Sequence, residues 1–101
     1  MNDTKWNEIF QTFYAEELRD GGRTIPWRTT DRNGYVSPWD QTWTHFGSEP
    51  TCYRHIQALE IRLTAENREY VLEQLHRIHV PGIPQKDTVT VFGYPQAAEY
   101  L

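Results

Sequence analysis

The sequence predicts an α+β protein, a two-layer sandwich in which a small mixed β-sheet carries two helices packed on one face. Three observations predict it. Apolar residues near the N-terminus recur at helical spacing, Leu59, Ile61 and Leu63 alternate with polar neighbours, and a second helical pattern leads into the β-branched run Thr88-Val89-Thr90-Val91-Phe92. The 101 residues are expected to form a single domain, 1–101, which buries roughly 60–65% of its unfolded surface and needs no staples to fold.

The first helix is predicted from Trp6, Ile9, Phe10, Phe13, Tyr14 and Leu18, which share one side of a 3.6-residue period, while Lys5, Glu8, Gln11, Glu16 and Arg19 decorate the other. Asp3 or Thr4 is expected to cap it, and Gly21-Gly22 to stop it. From Arg23 to Thr51 the pattern breaks at Pro26, Asn33-Gly34, Pro38, Gly47 and Pro50. Asn-Gly accepts positive φ, so a turn over 32–34 is expected to join an irregular strand near Ile25–Thr29 to one near Tyr35–Val36. Trp43–Phe46 is read as a further short strand.

Arg54–Leu63 alternates with the period of a half-buried strand. Thr64 is the expected N-cap of a second helix carrying Val71, Leu72, Leu75 and Ile78, ended by Pro81-Gly82. After a loop over 81–84, Thr88–Tyr94 reads as a strand. Strand, helix, strand in that order suggests a right-handed crossover into a partly parallel sheet. The tail 95–101 is weakly patterned.

A formal net charge of −4 disfavours a general phosphate-binding surface, because nucleic-acid affinity comes largely from Lys and Arg. It suits a basic partner instead. Cys52 is the single cysteine, which rules out an intramolecular disulfide and a Cys-rich zinc framework and fits a reducing compartment. No apolar run approaches the ~20 residues of a membrane helix, so a cytoplasmic protein without membrane contact is expected.

Candidate chemistry is sparse. His76 and His79, and Cys52 and His55, are spaced three apart, but neither pair belongs to a diagnostic ligand pattern, and a solvated helix face explains the histidines. Cys52 near His45 or His55 could be written as a thiolate dyad, yet a lone cysteine is more often a small buried hydrophobe. Gly21-Gly22 follows a helix where a phosphate cradle would precede one. No cofactor, metal or small-molecule site is therefore expected, and no catalytic role.

The richest segment is Gly34–Phe46, with Tyr35, Trp39, Trp43 and Phe46 in one short stretch. Such aromatics either anchor a core or build a recognition surface. Trp6 belongs to the helical stripe, whereas Trp39 beside Asp40 is the preferred partner contact. No Lys or Arg lies between Gly34 and Phe46, which argues against a stacking platform for single-stranded nucleic acid. Glu16, Glu17 and Asp20 oppose the dipole at the C-terminal end of the first helix, an arrangement suited to a basic partner or simply to solvent. Asp31 and Asp40 are further acidic contact candidates, for which turn and capping roles are the plainer explanation.

Lys5-Trp6, Trp27-Arg28-Thr29, Tyr35-Val36-Ser37-Pro38-Trp39-Asp40, Trp43-Thr44-His45-Phe46, Leu59-Glu60-Ile61 and Val91-Phe92-Gly93-Tyr94 together resemble a family of small uncharacterised bacterial proteins. The resemblance spans about residues 5–94. Such families are similar to the immunity proteins of toxin systems, including contact-dependent growth inhibition. It implies a cytoplasmic protein that binds a cognate toxin domain, possibly a nuclease, and neutralises it stoichiometrically. The contact set would be Glu16, Glu17, Asp20, Asp31, Trp39 and Asp40. The competing expectation is a non-catalytic adaptor or structural domain in a bacterial complex.

Overall fold

A computed structural model of the chain describes residues 1–46, 53–95 and 99–101. Helix α1 spans Asp3–Leu18. Its cap is Asn2, whose side chain accepts the Lys5 amide at 2.9 Å; the expected caps, Asp3 and Thr4, lie inside the first turn. The buried face is Trp6, Ile9, Phe13 and Glu16. Glu16 follows Phe13 by three residues and Ile9 by seven, so helical geometry carries it onto the core side despite its charge. Leu18, placed on the stripe from sequence, points outward and is 65% exposed. The helix ends at Arg19, whose backbone is extended, and the chain folds back so closely at Gly22 that a Cβ there would meet the Glu16 carbonyl oxygen at 1.9 Å.

Strand β1 covers Trp27–Asp31. The turn after it forms as expected, with the Gly34 amide donating to the Asp31 carbonyl at 3.0 Å. Only Gly34 takes positive φ, at 89°, so Asn33 contributes no left-handed residue. The expected partner strand is reduced to single bridges, Thr30 with Val36 and Trp27 with Asp40. Ser37 and Pro38 lie between them, and a proline has no amide to extend the ladder.

Trp43–Phe46 is one turn of helix, α2, and not a strand. Trp43 and Phe46 are both buried. Residues three apart point the same way only on a helix; on a strand they would face opposite sides. A 3₁₀ turn at Tyr53–His55 leads into β2, Ile56–Arg62. Helix α3, Arg68–Ile78, ends at His79 in the left-handed region, before Pro81-Gly82. Thr64 does not cap α3 directly. It and Asn67 exchange hydrogen bonds, Thr64 amide to Asn67 Oδ1 at 2.8 Å and Asn67 amide to Thr64 Oγ1 at 3.2 Å, in the turn that precedes the helix.

The segment read as a loop contains β3, Gly82–Pro84, followed by β4, Thr88–Phe92. The sheet order is β1-β2-β4-β3 and every pairing is antiparallel. The α+β class stands, and the mixed sheet is corrected. The crossover from β2 through α3 returns to β3, and β4 doubles back to occupy the place between them. Pro84 suits β3 to the sheet edge, where a missing amide costs no ladder bond. Residues 99–101 bind alongside, through Gly82 amide to Glu99 carbonyl and Leu101 amide to Val80 carbonyl, each 3.0 Å.

Both main helices pack on one sheet face. Leu59, Ile61, Val89 and Val91 meet Ile9, Phe13, Val71, Leu75 and Ile78 in a continuous core. One end of that core is aromatic: Trp6, Phe13, Trp27, Trp43 and Phe46 lie 5.0–6.1 Å apart in consecutive ring contacts. The Trp43 indole N–H donates to the Ile25 carbonyl at 3.0 Å, whereas Trp27 Nε1 has no acceptor among the described residues.

Candidate functional site

Strand periodicity that sends Trp27, Leu59, Ile61, Val89 and Val91 to the helices sends Arg28, Glu60, Thr90 and Phe92 to the opposite face. No described helix covers that side. In one cross-strand row Arg28 opposes Glu60, Glu60 opposes Thr90, and Thr90 opposes Ile83. The Arg28 Nε donates to Glu60 Oε1 at 3.0 Å.

Trp39 joins this face from the edge. Trp27 and Asp40 exchange two backbone bonds of 2.8 Å, and Ser37 donates to the Thr29 carbonyl at 2.8 Å, which pins 37–40 beside β1. Asp40 lies opposite Trp27, and the residue before it emerges on the other side, over Arg28. The Arg28 Cζ is 4.6 Å and the Arg62 Cζ 4.3 Å from the Trp39 ring centroid. A second stack lies past the opposite end of β1 and β2, Arg32 Cζ at 4.5 Å from the Tyr94 ring, with the Tyr94 hydroxyl donating to the Arg54 carbonyl. Val36 at 46%, Ile83 at 37% and Tyr94 at 40% exposure add apolar surface.

The six residues expected to touch a partner are not brought together. Glu16 is a correction: only 5% of it is exposed. Its carboxylate accepts Arg19 Nε at 2.9 Å, Arg23 Nη1 at 3.0 Å and the Arg23 amide at 2.9 Å. The Arg19 hydrogen bond, with those from Arg23, outweighs the upward push of burial and holds its pKa at about 2. Glu17 accepts the Trp43 amide at 2.7 Å and so caps α2 from outside it. Asp40 accepts the Thr42 amide at 2.8 Å and contacts His45 Nδ1 at 2.7 Å. Burial pushes the Asp40 carboxyl up, but the Thr42 and His45 hydrogen bonds prevail and it lies below its usual value. Asp31 accepts the Asn33 and Tyr35 amides at 2.9 and 3.0 Å, an Asx turn. Asp20 is exposed. Trp39 alone of the six stands on the helix-free face.

Among the described residues no group of three or more His, Cys, Asp or Glu side chains converges as metal ligands would. His76 and His79 are exposed, and His79 stacks on Tyr100 at 4.6 Å. Cys52 lies outside the described residues.

The cations around Trp39 were missed in the linear reading, because none lies within Gly34–Phe46. The available signal was phase: Arg28 follows Trp27, and Arg62 follows Ile61, so each must face away from the core. Asn67 was also missed. It is fully buried, and its amide donates to the Thr24 and Arg62 carbonyls at 3.0 and 3.1 Å, tying down the end of β2 that presents Arg62.

Fold and site together define an α+β protein whose sheet is covered by helices on one face and furnished with guanidinium–aromatic stacks on the other. The chain belongs to the family of unknown function DUF6678, whose model matches residues 1–98. No curated protein and no solved structure matches it.

Proposed function

We propose that this protein acts by binding another protein across the helix-free face of its sheet, and that the bound protein is a cognate toxin domain neutralised by stoichiometric association. The observation that carries the binding reading is the position of Trp39: three tryptophans lie in the core at 1–7% exposure, while Trp39 remains outside it, stacked with two arginines. Tryptophan, tyrosine and arginine dominate binding hot spots, because they bury large areas around a few directed hydrogen bonds. The toxin as partner follows from the motif resemblance, and the cytoplasm is the proposed place of action. Among the described residues no helix is long and apolar enough to cross a membrane.

The test is co-expression with the toxin encoded beside this gene, followed by native mass spectrometry and a toxicity assay. A one-to-one complex and protection are expected. Trp39→Ala is expected to weaken the complex by roughly 30-fold, the equivalent of about 2 kcal/mol at a hot spot, with the folded circular-dichroism spectrum intact. No complex and no protection would refute the toxin reading. A complex indifferent to Trp39→Ala and to substitutions along the same face would move the interface elsewhere.

A further inference from the structure

Building on the protein-binding reading, we infer that the surface seated on this face is acidic, with partner carboxylates held by Arg62 and Arg32 while Trp39 and Tyr94 serve as their platforms. This reverses the charge expected from the net −4 of the chain.

The guanidiniums of the face are engaged differently. Arg28 is already paired with Glu60 at 3.0 Å. Arg62 and Arg32 are exposed, and among the described residues neither has a carboxylate within ion-pair distance. Each lies against an aromatic ring instead, at 4.3 and 4.5 Å. Stacking engages the flat face of a guanidinium and leaves its edge donors free to take a carboxylate in a two-point contact. It also restricts the side chain before binding, which lowers the entropy lost on association. Arg28 and Arg62 share one ring, so two positive charges are crowded with a single carboxylate, Glu60, between them and neutrality.

The acidic total does not oppose this. Six of the acidic residues, Asp3, Glu8, Glu16 and Glu17 of α1 and Glu69 and Glu73 of α3, belong to the helices on the other side of the sheet, about 10 Å or more away across the layers. Beyond a Debye length of about 8 Å at physiological salt their repulsion is largely screened. A protein surface is favoured over nucleic acid by the apolar side chains on this face. Val36, Ile83 and Phe92 give a protein partner apolar contacts that a sugar–phosphate backbone would not fill.

The test uses the ¹⁵N-labelled full chain and three probes: an acetylated peptide alternating Glu and Leu, its Lys and Leu counterpart, and an oligo-dT strand. The Glu/Leu peptide is expected to shift the side-chain Nε–H signals of Arg62 and Arg32 and the Trp39 indole signal, with weaker binding as salt rises. Arg62→Glu should lower its affinity roughly tenfold, and Arg62→Gln, which keeps length and removes charge, should lower it less. Absence of these shifts, or stronger binding by the basic peptide or by oligo-dT, would overturn the inference. A toxin complex broken by Trp39→Ala but unaffected by Arg62→Glu and Arg32→Glu would also overturn it while leaving the protein-binding face in place. Salt-sensitive Glu/Leu binding through these arginines without a toxin complex would support it and remove the toxin as partner.

Discussion

The two faces of the sheet are written in the same strands, one residue out of phase, yet they are held by different physics. On one face Leu59, Ile61, Val89 and Val91 are fully buried under α1 and α3, where packing and the removal of apolar surface from water supply the stability. On the other, Arg28, Glu60, Arg62 and Trp39 interact by ion pairing and cation–π stacking at partial exposure, where water weakens each contact to about 1 kcal/mol or less. The first face defines the fold. The second adds little to it.

The sharpest way to break this contrast is to shorten a side chain on the covered face. Ile61→Ala should destabilise the protein by about 2–5 kcal/mol, since the surroundings cannot fully close the cavity. Urea unfolding followed by tryptophan fluorescence measures it, and a loss under about 1 kcal/mol would mean that this face is not the core.

Charged groups extend the comparison, because Glu16 is a carboxylate drawn into the covered side. Its folded pKa of about 2 lies below its ordinary 4.5. The stabilisation is therefore fully present above about pH 4.5 and is lost as the pH falls toward 2. The shift corresponds to about 2–3 kcal/mol once the solvent exposure of both guanidiniums is allowed for. Glu16→Gln should flatten the stability profile across that window in pH-dependent unfolding; an unchanged profile would show that the buried pair does not control acid stability.

Glu60, the matching carboxylate on the open face, should matter least to folding. Glu60→Ala is expected to cost under about 1 kcal/mol. A larger loss in the same urea experiment would erase the distinction between the faces.

Much of this contrast is legible in the linear pattern. Alternation at Leu59, Ile61 and Leu63 and helical spacing at Val71, Leu75 and Ile78 give β2 and α3, because side-chain direction repeats locally with period two or 3.6. The Asn33-Gly34 turn follows from glycine's access to positive φ. Those are properties of neighbouring residues. Strand order is not, and the antiparallel insertion of β4 between β2 and β3 depends on contacts between segments far apart in the chain.

The same division governs the site. The sequence by itself determined that Trp39 and Asp40 occupy a turn-rich segment and that Arg28 and Arg62 are out of phase with the core. Only the tertiary structure decided that Arg28 and Arg62 meet over one indole, that Arg32 stacks on Tyr94, and that the carboxylates expected to meet a partner are drawn inward, Glu16 to two arginines and Glu17 to the amide of Trp43. Cation–π stacks and caps act over a few ångströms between residues brought together by folding, so their identity depends on strand register and helix placement rather than on local composition.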